Sequence, residues 1–345
     1  MTKARNIAEL ANDISVDSNR DVTLSNLRSD QPMMFRNRII NGDMRIDQRN
    51  GGASVSNANS YTLDRWYFMR GALSSSPVFN VQQSSTAPSG FKNSLSVTVG
   101  TAGAPGTSNY SSLYSRVEGF NVADLGWGTV SAQSTTLSFW VYSSVTGTFG
   151  VAFQNNALDR SYIASYTINS ANTWEYKTVT IAGDTTGTWL STSEIGIGLY
   201  WDIGVGITQS TTAGSWQAGN FLGLTGGTKV SNTNGATWYI TGVQLEKGTV
   251  ATPFEHRPYG TELALCQRYY YKATVQSTWG NSDSYAMAFF YHPVEMRSSP
   301  TRTQISNSTG TLLGGTLNSL MASQQISSIG GENASTVVQS FSAEL

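Results

Sequence analysis

The sequence predicts an all-β protein: a jelly-roll β-sandwich, preceded by a short N-terminal helical or extended anchor and followed by a smaller C-terminal β domain. Three observations predict it. Only 12% of the residues are charged, against about 25% in an average soluble domain, while aromatic residues reach 11%. Stretches rich in aromatic and β-branched residues alternate with period two. Gly-, Ser- and Thr-rich turns separate those stretches at the spacing of a sandwich. A chain of 345 residues suits one large β body with appendages better than a single ordinary domain.

Residues 1–35 read as a separate attachment or trimerisation segment, dense in charge. Within it Ile7, Leu10 and Ile14 follow the 3, 4 spacing of a coiled-coil seam, but the next seam position is Asp17. Two turns cannot hold a lone helix in water, so such a seam must pack on copies of itself or on a partner.

Residues 36–257 carry the sandwich. Strands are expected near "RIINGDMRI", "DRWYFMRG", "NSLSVTVG", "SSLYSRVEGF", "TTLSFWVYSS", "TFGVAFQN", "WEYKTVTIAG", "EIGIGLYWDIG" and "TWYITGVQLEKG". In "TTLSFWVYSS", Leu137, Phe139 and Val141 form a core face, with Ser138, Trp140 and Tyr142 opposite. In "EIGIGLYWDIG", Gly196 and Gly198 leave room beside Tyr200. In the closing strand Trp238 and Ile240 alternate out of phase with Val243 and Leu245, which predicts a bulge near Gly242. Pro253 and Pro258 end regular pairing. A linker, 258–272, holds a short helix in "TELALCQRYYYK". A tip domain, 273–345, resumes with "SYAMAFFYHPVEM", "TRTQIS" and "STVVQSFSAEL". About 70 residues are marginal as a lone β domain, and packing on copies would relieve that.

Composition excludes several function classes. Lys and Arg number 21 against 22 Asp and Glu, a net charge of -1, so no global field draws the chain to nucleic acid or an anionic membrane. One cysteine, Cys266, and two histidines leave no disulfide framework or cysteine-based zinc cluster; no metal and no cofactor are expected. No secretory signal or long apolar run is present, so the chain is expected to be made and folded in a cytoplasm, without membrane insertion. Nucleophile-elbow, phosphate-loop and metalloprotease motifs are absent, and no catalytic residue is assigned. Cys266 reads as a small buried hydrophobe, and His292 as a turn or surface residue. Glycan cleavage needs only two opposed carboxylates, and Glu118, Asp159, Glu175, Glu194 and Asp202 are available, although solvated strand-end charge is the plainer reading of each.

Aromatic residues are the richest signal. Sugar recognition sets a flat ring against a pyranose face and lets amides and carboxylates bond the hydroxyls. Trp140, Tyr142, Gln154, Asn155, Tyr200 and Asp202 supply those types on strands expected to be adjacent. Trp127, Trp189 and Trp216, in loops, are expected at a rim.

The motifs "NRIINGDMRIDQRNGG", "YTLDRWYF", "TLSFWVYSS", "WYITGVQLEKGTVATPFEHRPYGTELALCQRYYYK" and "PVEMRSSPT", in that order over residues 36 to about 302, resemble a widespread type of bacteriophage tail-fibre or receptor-binding protein. Through the "NGDM" and "WYITGVQLEKG" segments the sandwich also resembles jelly-roll carbohydrate-binding modules. Such modules often carry a structural calcium near those two segments; Thr241 stands where an Asp is common, which counts against calcium at Asn41, Asp43 and Glu246. The resemblance implies a virion protein, typically a homotrimer. Its N-terminus would dock to other tail or virion proteins and its distal β domains would touch host-surface polysaccharide or lipopolysaccharide. A glycan depolymerase and a ligand-free head or tail fibre are the alternatives.

Overall fold

The computed structural model describes residues 35–345 except 58, 72–76, 279–284, 308–309, 315–316 and 329–333, together with two short strands before them. The chain divides into two compact units, 1–36 and 37–345. In the first, β1 (Ile14–Val16) pairs antiparallel with β2 (Val22–Leu24), Ile14 opposite Leu24. The helical seam expected through Ile14 is therefore corrected to a strand. The segments ISV and VTL are rich in β-branched residues, and local β propensity prevails over helical spacing. Ile7 and Leu10 lie outside the described residues.

The second unit is built on a sandwich. One sheet holds seven strands, in the order β15 (Trp216–Ala218), β11 (Arg160–Ile168), β10 (Gly147–Gln154), β13 (Ile195–Val205), β8 (Tyr110–Glu118), β5 (Trp66–Gly71), β4 (Ser60–Leu63). The other holds six: β12 (Glu175–Ile181), β9 (Thr135–Ser143), β17 (Thr237–Lys247), β7 (Ser94–Thr101), β6 (Val78–Ser84), β3 (Val55–Ser56). All neighbours within the two sheets run antiparallel, and the chain crosses repeatedly between the sheets, as in a jelly roll. The inner faces interdigitate: Trp201 of β13 packs 5.5 Å from Trp66 of β5 and 5.9 Å from Phe139 of β9. Leu137, Phe139 and Val141 are fully buried, as their alternation requires.

Two local expectations resolve here. The β17 register slips between Thr241 and Gln244, where Gly242 adopts φ 61°. Trp238, Ile240, Val243 and Leu245 thereby all reach the core, each fully buried. By contrast, "RIINGDMRI" is a buried turn rather than a strand. Asn41, in the left-handed region, holds it by donating Nδ2 to the carbonyls of Ile46 and Asp64 and accepting from the Ile46 amide.

A small parallel pair, β14 (Ser210–Thr211) with β16 (Gly223–Leu224), forms in the segment between β13 and β17. After the sandwich come one helix, α1 (Tyr259–Gln267), and two three-stranded sheets. Their orders are β18 (Tyr270–Thr278), β23 (Ala334–Ser342), β20 (Thr301–Asn307) and β19 (Tyr285–Tyr291), β22 (Met321–Ser328), β21 (Gly310–Gly314). Tyr271, Met296, Ala322, Phe341 and Ala343 form their common core. His292, read as a surface residue, is buried against Tyr271 and Phe341, with its Nε2 3.0 Å from the Asn318 carbonyl. The paired strands β18 and β23 supply those two rings, a long-range contact that Pro293 beside it does not signal.

Candidate functional site

The residues expected to share one sugar-binding face are split by the fold. Gln154, Tyr200 and Asp202 lie on the outer face of the seven-stranded sheet; Trp140 and Tyr142 lie on the outer face of the six-stranded sheet. Adjacency in sequence pattern did not become adjacency in space because successive strands cross between sheets.

The outer face of the seven-stranded sheet is closed by the chain itself. On either side of the edge strand β15, the chain between β13 and β17 folds over the part of that face formed by β10, β11 and β13, where Leu222 and Leu224 cluster with Ala152, Ile163 and Tyr200. Gln154 is buried and donates to Asn220 Oδ1 and the Phe221 carbonyl, each at 2.9 Å. Asp202 accepts from the amides of Val205 and Leu224 and pairs with Lys229. Burial outweighs that lysine and pushes its carboxyl up to about 6. Tyr200 packs 5.2 Å from Tyr114, and Arg116 beside them donates to the Leu345 carbonyl. In this structure none of the three presents an open contact surface.

The outer face of the six-stranded sheet carries a different arrangement. Trp140 and Tyr142, two residues apart on β9, point the same way, and the register places Tyr176 of β12 opposite Trp140 and Tyr239 of β17 opposite Tyr142. Ring centroids lie 5.4 Å apart for Trp140 and Tyr176, 5.2 Å for Tyr142 and Tyr239, and 5.6 Å for Tyr142 and Trp174. Tyr176 is 43% exposed and the other four rings are half-buried. Past Trp140 the row continues. A Cβ at Gly242 would stand 2.6 Å from the Phe91 ring and 3.1 Å from Trp140, and Phe91 packs 5.1 Å from Phe254 and 5.3 Å from His256. At that end the row opens into a pocket of about 290 Å³, with Asp43, Arg45, Phe91, Lys92, His256 and Tyr259 among its walls. Sequence reasoning found Trp140 and Tyr142 and missed the rest. The period-two position of Tyr239 beside core Trp238 and Ile240 was the available signal; Phe91, Phe254 and His256 come from loops that only the fold brings together.

Trp216 sits elsewhere, in a triad with Trp127 and Trp189 whose centroids are 4.7 to 5.3 Å apart. Each indole N–H donates to a backbone carbonyl, of Gln133, Thr186 and Ala182. A second pocket, of about 260 Å³, lies beside Trp127 and Trp189.

The five carboxylates considered for catalysis all hold structural partners. Glu118 binds Arg268 and the Tyr269 hydroxyl, Asp159 accepts from Asn155, Glu175 pairs with Lys177, Glu194 with Arg297 and Asp202 with Lys229. Among the described residues no cluster of His, Cys, Asp and Glu forms a metal-binding group. In the corner where the module resemblance implies calcium, the Arg257 guanidinium bonds the carbonyls of Asn37 and Ile39 and pairs with Glu255 and Glu262.

No family model and no curated protein matches the chain. Among solved structures, one match is the enzymatically active domain of tailspike protein 4 of bacteriophage CBA120. It is 10% identical, with a TM-score of 0.33, over 62% of this chain and 22% of that one. The family 11 carbohydrate-binding module of a Clostridium thermocellum cellulosomal cellulase is 12% identical, with a TM-score of 0.28, over 58% of this chain and 98% of that one. TmCBM61, solved with β-1,4-galactotriose, is 10% identical, with a TM-score of 0.29, over 62% of this chain and 99% of that one. The chain thus spans about a fifth of the tailspike domain's length. Identities this low leave the functional reading to the side chains of this protein.

Proposed function

We propose that this chain is a tail-fibre-like adhesin that binds host-surface glycan along the aromatic row of the six-stranded sheet. The observation that carries the reading is that row: five part-exposed rings, Trp140, Tyr142, Trp174, Tyr176 and Tyr239, on a sheet face. A contiguous exposed patch of large rings marks an interaction surface, and flat rings edged by hydroxyls suit the mixed polar and apolar faces of a sugar. The order of motifs between 36 and 302 supports a phage tail-fibre setting, in which a trimer of weak sites gains avidity through linked copies.

The test is binding of the full chain to immobilised capsule and lipopolysaccharide glycans and to host cells, with Trp140→Ala and Tyr176→Ala as variants. At least one variant is expected to lose about 1–2 kcal/mol of binding free energy while keeping its melting temperature within a few degrees. Wild-type protein that retains no glycan and no cells would overturn the reading. Release of reducing ends from bound glycan would move it to the depolymerase class.

A further inference from the structure

The pocket at the end of the aromatic row differs in chemistry from the row itself. Its rings, Phe91, His256 and Tyr259, come from two loops and the start of α1. Arg45 is fixed in its wall: its Nε lies 2.9 Å from Asp43 Oδ2, its Nη2 donates to the Arg257 carbonyl at 2.5 Å, and its guanidinium lies 5.8 Å from the Tyr259 ring centre. Two of its faces are thus committed to the protein, and Asp43 balances its charge.

Lys92 is not balanced. It is exposed at the same pocket, and among the described residues no carboxylate lies within ion-pairing distance of it. The acid nearest in the lining, Asp43, is already paired with Arg45. Asp43 itself is buried. The pocket therefore offers one uncompensated cation, the Asn93 amide and three flat rings. Its volume, near the lower end of ligand pockets, fits one sugar ring and not a chain.

We infer that this pocket is a subsite for a single acidic sugar residue, with the ring against Phe91, His256 and Tyr259 and the anionic group at Lys92. The neighbouring row from Trp140 would then hold the uncharged part of the same glycan, because Gly242 brings Phe91 and Trp140 together. This rests on the glycan-binding reading and adds the class of sugar. Lysine is suited to the role as a compact point charge that meets a carboxylate or a phosphate without a fixed fork geometry.

The experiment is an NMR or calorimetric titration of the full chain with galacturonic acid, glucuronic acid and N-acetylneuraminic acid, against galactose and glucose. Wild type, Lys92→Gln and Trp140→Ala are compared. The inference expects at least one acidic sugar to bind more tightly than the neutral ones, and Lys92→Gln to weaken it about tenfold while leaving the neutral sugars unchanged, since a charge-assisted contact is worth about that factor. Lys92 is on the surface, so its variant tests binding without disturbing the fold. Neutral and acidic sugars bound equally, unaffected by Lys92→Gln but weakened by Trp140→Ala, would overturn the inference and leave the glycan-binding reading standing. No binding of any saccharide, together with no retention on immobilised host glycan, would overturn both.

Discussion

Asp202 shows how far the closed sheet face has been given over to structure. The side chain is buried, its pair Lys229 is 11% exposed, and burial lifts the carboxyl from the usual 3.8 to about 6. A raised carboxyl means that the folded chain takes up a proton that the unfolded chain does not, between about pH 4 and pH 6. The stability it contributes is complete below about pH 4 and is lost as pH rises through 6. Lys229 offsets part of that loss by pairing with the ionised form. Lys229→Met is therefore expected to lower unfolding free energy by about 3 kcal/mol at pH 7.5, because it strands a buried charge. The deficit should shrink at pH 5, where Asp202 takes its proton. Denaturant titrations at the two pH values check this; equal deficits at both would show that Asp202 does not titrate as its burial implies.

At the scale of elements the decisive feature is the bulge of β17. Gly242, at φ 61°, lets Trp238, Ile240, Val243 and Leu245 all face inward. It also leaves the space into which Phe91 and Trp140 fit. Gly242→Ala adds a Cβ both in the left-handed region and against the Phe91 ring. It should cost about 1–3 kcal/mol and move Phe91, visible as changed aromatic proton shifts. A variant as stable as wild type, with those shifts unmoved, would contradict this account. The bulge was legible in the sequence because two core runs were out of phase. So was the aliphatic face of β9, which depends only on period two. The "NGDM" strand was misread because β-branched Ile39 and Ile40 look like a strand, whereas Asn41 ties the chain into a buried turn. The candidate site was half legible. Trp140 and Tyr142 announce themselves by alternation, but which sheet covers which face depends on long-range topology. For that reason Gln154, Tyr200 and Asp202 ended under residues 220–229.

In the second unit the last residues reach back to the sandwich. Glu344 pairs with Arg49 at 2.6 Å and with the buried Arg65, while Arg297 donates to the carbonyls of Ala343 and Glu344. Arg268 and Tyr269 anchor the start of β18 to Glu118. These contacts fasten one end of the sheet β18-β23-β20, where β18 and β20 begin and β23 finishes, to the larger body, so a small β unit gains the support that its size alone would not provide. Glu344→Gln leaves Arg65 buried without its carboxylate. It should cost about 3 kcal/mol and speed amide exchange in β18 and β23, while β9 and β17 keep their protection. Uniform loss of protection across the second unit would show instead that the two parts unfold as one.

The Arg257 guanidinium ties the carbonyls of Asn37 and Ile39 to the carboxylates of Glu255 and Glu262. A cation that holds a corner together can be an ion drawn from the surroundings or a side chain carried by the polypeptide. With an arginine, the supply of that cation is fixed at translation. With Glu255 and Glu262 as its carboxylate partners, the corner draws no ion from the medium.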